Sequence, residues 1–242
     1  KLNGYYEDED YISHTDAKRN LFEKIYHFVR NYAINKKIKL INQESSKGAL
    51  LDIGCGTGDF LKAALNDGWN VIGIEPNESA RNIAKNKLDN NVFDIPELEK
   101  FKANSFDVIT LWHVLEHLPN LDDHLRLFKH LLKENGTLII AVPNFKSFDA
   151  SYYKSFWAAY DVPRHFWHFS QTAIKKLFGN KNMIVSEIKP MKFDAYYVSL
   201  LSEKYKTGKM NPIKAFWIGW RSNLRARQTS EYSSLIYVLK NS

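Results

Sequence analysis

The sequence predicts an α/β fold, with parallel strands covered by helices on both faces, and three observations point to it. Apolar runs of strand length alternate with segments of helical spacing between residues 49 and 142. A glycine-rich turn, Gly54-Cys55-Gly56-Thr57-Gly58, joins the first of these strands to the first of these helices. The 242 residues are 44% hydrophobic and 25% charged, which suits one globular domain with a sizeable core rather than a disordered chain.

Residues 15–41 place Leu21, Ile25, Phe28, Val29, Tyr32 and Ile34 at helical spacing, and we read residues 1–47 as an N-terminal helical cap on a domain spanning 48–242. The core then predicts a strand over 49–53, a helix over 58–67 stopped by Gly68, a strand over 70–74 and a helix over 77–88. A short strand near 91–93, a strand over 106–111, a helix over 121–134 ended by Asn135-Gly136 and a strand over 137–142 follow. After Pro143 the alternation pauses for a stretch rich in Phe, Tyr, Trp and His. Ser170 then caps a helix, SQTAIKKLF, and MIVSEIKP and SSLIYVLK read as closing strands.

The glycine turn marks a site built from main chain, because backbone passing close to a ligand with positive φ leaves no room for a Cβ. A dinucleotide fingerprint spaces its glycines G-x-G-x-x-G. Here the third glycine arrives one residue early, at Gly58, and Asp59 stands where a pyrophosphate would meet a carboxylate. The next strand ends in Glu75, whose carboxylate can accept hydrogen bonds from two ribose hydroxyls. A nucleoside without phosphates fits this pattern best. Cys55, the single cysteine, excludes an internal disulfide and reads as a small packed residue rather than a nucleophile.

The run LDIGCGTGDF followed by VIGIEPN resembles motifs I and II of class I S-adenosylmethionine-dependent methyltransferases, and FDVITLWHVLEHL, GTLIIAVPN and DVPRHFWHFS extend the likeness over roughly residues 48–190. The resemblance implies a doubly wound, mostly parallel seven-stranded sheet whose last strand runs antiparallel, with residues 191–231 as a helical insertion before it. It also implies S-adenosylmethionine as cofactor. Ligands of open α/β sheets bind beyond the carboxyl ends of the strands, so Asp52, Gly54, Cys55, Gly56 and Gly58 would meet the methionine part. Glu75 and Pro76 would hold the ribose, Asp94 and Ile95 would frame the adenine, and Trp112 and His113 would line the same site.

Two histidines are candidate bases, because an unperturbed imidazole titrates near working pH, at about 6.5. His165 comes first and His113 second. His165 lies in a segment where Tyr160, Asp161 and Arg164 are candidate substrate contacts, and segments 144–169 and 191–231 read as lids over an acceptor. The motif HVLEH, His113 to His117, matches the H-x-x-E-H of inverted zinc peptidases, but it follows a strand and Pro119 comes too soon for the required helix. It also resembles the E-x-x-E-H of ubiquinone-biosynthesis O-methyltransferases, where the acidic pair implies a divalent metal. His113 replaces a hard carboxylate with imidazole, so no metal is expected.

Net charge is +7, and residues 191–242 carry nine Lys or Arg against Asp194, Glu203 and Glu231, whereas Glu7 to Asp10 form an acidic opening. The basic, aromatic C-terminal region suits contact with an anionic surface or a solvated helix face over an aromatic core. No signal-peptide pattern or spanning apolar run is present, so a cytoplasmic protein, peripheral at the membrane at most, is expected. The chain opens on Lys1, which leaves room for an upstream segment. The expected reaction is methyl transfer to an oxygen of a small-molecule, sugar or lipid acceptor. Methylation of RNA or protein, or binding without turnover, are the alternatives, and the lack of a base-reading motif disfavours nucleic acid.

Overall fold

The computed structural model describes residues 19–242. The acidic opening and residues 15–18 of the expected first helix lie outside the described residues. Seven strands run in the order β3-β2-β1-β4-β5-β7-β6, a mostly parallel sheet with antiparallel pairing at its C-terminal edge. Among the described residues, those up to Phe101 make one compact unit and Lys102–Ser242 a second.

The first unit comprises α1 (Arg19–Glu44), β1 (Ala49–Ile53), α2 (Asp59–Asn66), β2 (Asn70–Ile74), α3 (Glu78–Lys87), β3 (Val92–Phe93) and a 3₁₀ turn over Ile95–Lys100. β1, β2 and β3 pair in parallel, and β1 and β2 keep the bounds their apolar runs predict. Leu50, Leu51, Ile53, Val71 and Ile74 are buried, as continuous apolar strands covered on both faces require. The C-terminal half of α1 is tied down by Leu40 and Ile41, both buried, and by Asn42, which accepts from Trp69 Nε1 at 2.9 Å and donates to Asp67 at 2.8 Å. Asn77 caps α3, its side chain accepting from Ala80 N.

The second unit comprises β4 (Phe106–Trp112), a 3₁₀ turn over Leu115–His117, α4 (Leu121–Leu131), β5 (Leu132–Pro143), α5 (Phe148–Tyr153), α6 (Gln171–Gly179), β6 (Met183–Pro190), α7 (Asp194–Thr207), α8 (Pro212–Thr229) and β7 (Ser234–Asn241). β4 and β5 are parallel, and β7 lies antiparallel between β5 and β6. Ser170 caps α6 as expected, accepting from Ala173 N at 3.2 Å.

One expected boundary is corrected. Asn135-Gly136 does not end α4, which stops at Leu131, and the strand begins five residues before Thr137. Leu132 pairs with Phe106, and the register then jumps so that Thr137 faces Val108. The intervening residues bulge, held by Lys133 Nζ donating to both oxygens of Asp107 at 2.8–2.9 Å. Gly136 is required there because a Cβ would sit 2.7 Å from Leu132 Cγ.

Candidate active site

In the first unit the chain leaves β1 through three left-handed glycines, with φ of 70° at Gly54, 56° at Gly56 and 79° at Gly58. The backbone N–H groups of Gly54 and Cys55 both donate to the Ile74 carbonyl, at 2.8 and 3.0 Å, which pins the turn to the end of β2. The glycines do different work. A Cβ at Gly56 would meet nothing within 4 Å, so the space over that peptide is open to a ligand. A Cβ at Gly58 would lie 3.0 Å from Ala84 Cβ and 3.1 Å from Leu88 Cδ1, so this glycine allows α2 to pack on α3.

Glu75 follows β2 and is buried. Its Oε2 accepts from Gly56 N at 2.8 Å and its Oε1 from Asn77 N at 2.9 Å, which aims the carboxylate across the glycine turn. Burial pushes its pKa up, against the pull of those two N–H groups and of Arg81. Each oxygen keeps a lone pair for a further donor. Pro76 is exposed beside it, and Arg81 donates to the carbonyls of Glu75 and Pro76 at 2.6 and 2.8 Å. Asp94 caps the 3₁₀ turn by accepting from Ile95 N at 2.7 Å and leaves the Ile95 side chain exposed. Asp52 is buried at the end of β1. The Cys55 thiol is pushed far up by burial, with Asp52 and Glu75 adding to the effect, so no thiolate forms at working pH.

Asp59 has a structural role. Burial opposes its charge, but Lys87 and Thr57 donate to it at 2.8 Å and Arg30 pairs with it, which holds its pKa below the usual range. The carboxylate thereby ties α1, α2 and α3 together.

In the second unit the residue after β4, Trp112 being its last, is His113, a non-glycine at φ 58°. Such a backbone is uncommon outside glycine, although His adopts it more readily than most residues. His113 Nε2 lies 3.1 Å from Asp194 Oδ2 and Nδ1 3.4 Å from Glu116 Oε1. Burial alone would lower its pKa, but hydrogen bonds and charge from Asp194 and Glu116 win and push it up to about 10. His113 is therefore a cation at neutral pH, with no lone pair to accept a proton. Asp194, at the start of α7, was not a sequence candidate; it lies far along the chain in the insertion, where no spacing rule reaches.

Glu116 is 1% exposed, and beyond the 3.4 Å pairing of its Oε1 with His113 neither carboxylate oxygen has a hydrogen-bond partner. Its main-chain carbonyl accepts from Phe166 and Trp167 N–H at 2.9 and 3.3 Å, and Trp167 Nε1 donates to Leu118 O at 2.8 Å. These bonds join the HVLEH turn to the loop before α6 and carry His165 to His117, their rings 4.5 Å apart edge to face. His165 Nδ1 lies 2.9 Å from Ala159 O and His117 Nδ1 3.2 Å from Arg164 O. A carbonyl can only accept, so each Nδ1 carries a proton, and in neutral His165 Nε2 is then the acceptor nitrogen. Burial, with His117 nearby, holds the His165 pKa below its ordinary value against the pull of Glu116, so it stays neutral.

Among the described residues, Glu116, His117 and His165 form a group with metal-ligand reach, one ligand atom from each lying within 4.8 Å of the others. The regrouping differs from the H-x-x-E-H reading: His165 takes the place of His113, which turns to Asp194.

The remaining substrate candidates are largely engaged. Asp161 Oδ1 accepts from Arg164 at 2.6 and 3.1 Å, and Tyr160 packs edge-on to Trp157 and His168 at 5.1 and 5.0 Å. Trp157 belongs to the core with Tyr153, Ala159 and Ile218. It donates to Asp149, a fully buried carboxylate that also accepts from Ser222 and Ser233 and was not a sequence candidate.

A methyltransferase-domain family profile matches residues 25–185. The chain belongs to this methyltransferase domain family, with the class I fold of the S-adenosylmethionine-dependent enzymes. It is 35% identical over 114 residues to an uncharacterized methyltransferase of Alkaliphilus oremlandii, covering 43% of this chain and 50% of that protein. It is 34% identical over 145 residues to a ubiquinone biosynthesis O-methyltransferase of Rickettsia typhi, covering 55% and 57%. The chain thus spans about half the length of the curated relatives it matches. Among solved structures, an S-adenosylmethionine-dependent methyltransferase from Archaeoglobus fulgidus superposes with a TM-score of 0.61 at 19% identity, covering 91% of this chain and 98% of that one. The magnesium protoporphyrin IX methyltransferase of Synechocystis gives 0.59 at 15% identity, covering 99% and 95%.

Proposed function

We propose that the protein binds S-adenosylmethionine at the Gly54–Gly58 turn and Glu75 and transfers a methyl group to an oxygen of a small-molecule, glycan or lipid-linked acceptor. One observation carries the reading: the open left-handed peptide at Gly56 is bridged to a buried Glu75 whose oxygens each retain a lone pair. That pairing offers hydroxyl-accepting carboxylate beside uncluttered main chain, which suits a ribose and an unphosphorylated tail. When bound, the cofactor supplies an electrophilic methyl on a sulfonium.

The protein's share is to orient, exclude water and remove a proton. Neutral His165, with Nδ1–H fixed on Ala159 O, holds Nε2 ready to take a hydroxyl proton, and Asp161 Oδ2 at 3.7 Å stabilises the imidazolium that forms. His113, already protonated, is the poorer base. Segments 144–169 and 191–231 cover the acceptor in this reading. The ubiquinone biosynthesis O-methyltransferase name of the Rickettsia relative supports an oxygen acceptor.

Calorimetry with S-adenosylmethionine and its demethylated product tests the cofactor. Both are expected to bind, and Glu75→Ala weakens them at least about tenfold, the loss of one charge-assisted hydrogen bond. Binding of NAD with neither of these ligands overturns the reading. Transfer of labelled methyl into fractionated extracts then identifies the acceptor.

A further inference from the structure

Helix α8 reverses the usual polarity of a surface helix. Its inner face is small, with Ala215, Gly219, Ser222 and Ala226 buried alongside Ile218. The approach to α7 is close enough that a Cβ at Gly219 would lie 2.8 Å from Tyr196 Cδ1 and 2.9 Å from Ala195 O. The large apolar side chains point the other way. Ile213, Phe216, Trp217, Trp220 and Leu224 are all exposed, Ile213 at 75% and Trp217 at 57%. At 3.6 residues per turn they fall within an arc of about 100°, one continuous stripe. Their rings touch one another, with Phe216–Trp217 centroids at 6.4 Å and Trp217–Trp220 at 5.5 Å. The structure therefore departs from the expectation of a solvated helix face over an aromatic core: here the aromatics are the outer face.

The charge on α8 itself has one sign, with Lys214 paired to the buried Glu203 of α7 at 3.0 Å. α8 contains Lys214, Arg221, Arg225 and Arg227 and no acidic residue. Arg221 and Arg225 lie over the Phe148 ring at 5.3 and 4.6 Å, and Lys206 over Tyr152 at 5.3 Å, so cations line the flank toward α5. An apolar stripe centred on tryptophans with a cationic margin matches a bilayer interface, where rings enter the acyl boundary and Lys and Arg meet anionic headgroups. A second copy packed α8 against α8 would set cation against cation. No helix among the described residues is long and apolar enough to cross a membrane, so contact through this helix is peripheral.

We propose that the outer face of α8 docks the protein onto an anionic lipid bilayer. The inference goes beyond the methyl-transfer reading and does not depend on it.

Co-sedimentation of the whole chain with phosphatidylcholine vesicles, with and without phosphatidylglycerol, is the test. The protein is expected to pellet with the phosphatidylglycerol vesicles and to be released by salt, with a blue shift of tryptophan emission on binding. Ile213→Glu combined with Trp217→Glu should weaken binding at least about tenfold. Both positions are exposed, so an unchanged melting temperature and circular dichroism spectrum serve as the folding control, and Trp217→Ala stands in should the pair misfold. Equal pelleting with both vesicles, pelleting with neither, or pelleting unaffected by the variants overturns the proposal. A dimer in sedimentation velocity that the same substitutions dissolve, without vesicle binding, assigns the face to a second copy instead.

Discussion

The two units arrange their chemistry in opposite ways. In the first, the candidate cofactor site is main chain beside one buried carboxylate, Glu75, which is oriented by the backbone N–H groups of Asn77, next but one in the chain, and of Gly56 in the glycine turn. In the second, the chemistry lies in side chains brought from the HVLEH turn, the loop before α6 and the start of α7, and backbone carbonyls fix only the histidine tautomers. A site made of backbone needs a local glycine pattern. A site made of imidazoles and carboxylates needs the tertiary fold first, and its protonation states belong to the group rather than to any one residue.

The contrast predicts separable defects. The largest effect in the second unit is expected at His165: His165→Ala should lower turnover at least about tenfold while leaving cofactor affinity within a few-fold. Because its pKa lies below the ordinary 6.5, the acid limb of kcat/KM in the native protein should fall below pH 6.5. Normal turnover with lost cofactor binding would put His165 among the structural residues and return the choice of base to His113.

A smaller effect is expected from Asp194→Asn. His113 has a raised pKa, so its stabilising contribution is complete below about pH 6.5 and fades as pH rises through about 10. Removing Asp194 should cost about 0.5–1 kcal/mol, as befits a partly exposed pair, and the gap in melting temperature from the native protein should close toward pH 10. A gap constant across that range would mean that Asp194 acts through packing.

The smallest effect concerns Mg²⁺, which should leave turnover unchanged, because Glu116, His117 and His165 offer two imidazoles and one carboxylate to an ion that favours oxygen. Stimulation by Mg²⁺ would break this expectation. Loss of activity on chelation, restored by Zn²⁺, would recast His165 as a ligand.

The same contrast explains what could be read from residues alone. β1, β2 and the turn between β1 and α2 were legible because strand burial and glycine spacing act over a few positions. The end of α4 was misplaced because Asn135-Gly136 has the chemistry of a helix stop, while the pairing of Leu132 with Phe106 is a property of the sheet. His165 was singled out as a candidate through its segment of the sequence. Its union with Glu116 and His117, the capture of His113 by Asp194 and the burial of Asp149 among Trp157, Ser222 and Ser233 depend on long-range contacts that leave no periodic trace. The direction of the α8 aromatics was equally hidden, since an apolar stripe at helical spacing does not say which side is inward.

The placement of β7 has a consequence for order of synthesis. Among the described residues, β6 hydrogen-bonds to no strand but β7, and β7 in turn fills the gap beside β5. On the ribosome, Met183–Pro190 therefore emerges with no strand to join, and the chain makes α7 and α8 before Ser234–Asn241 arrives to seat both neighbours at once. The first unit closes from contacts near in sequence and can settle early. The second stays open at its edge until β7 is translated, so its part of the sheet is completed from the inside.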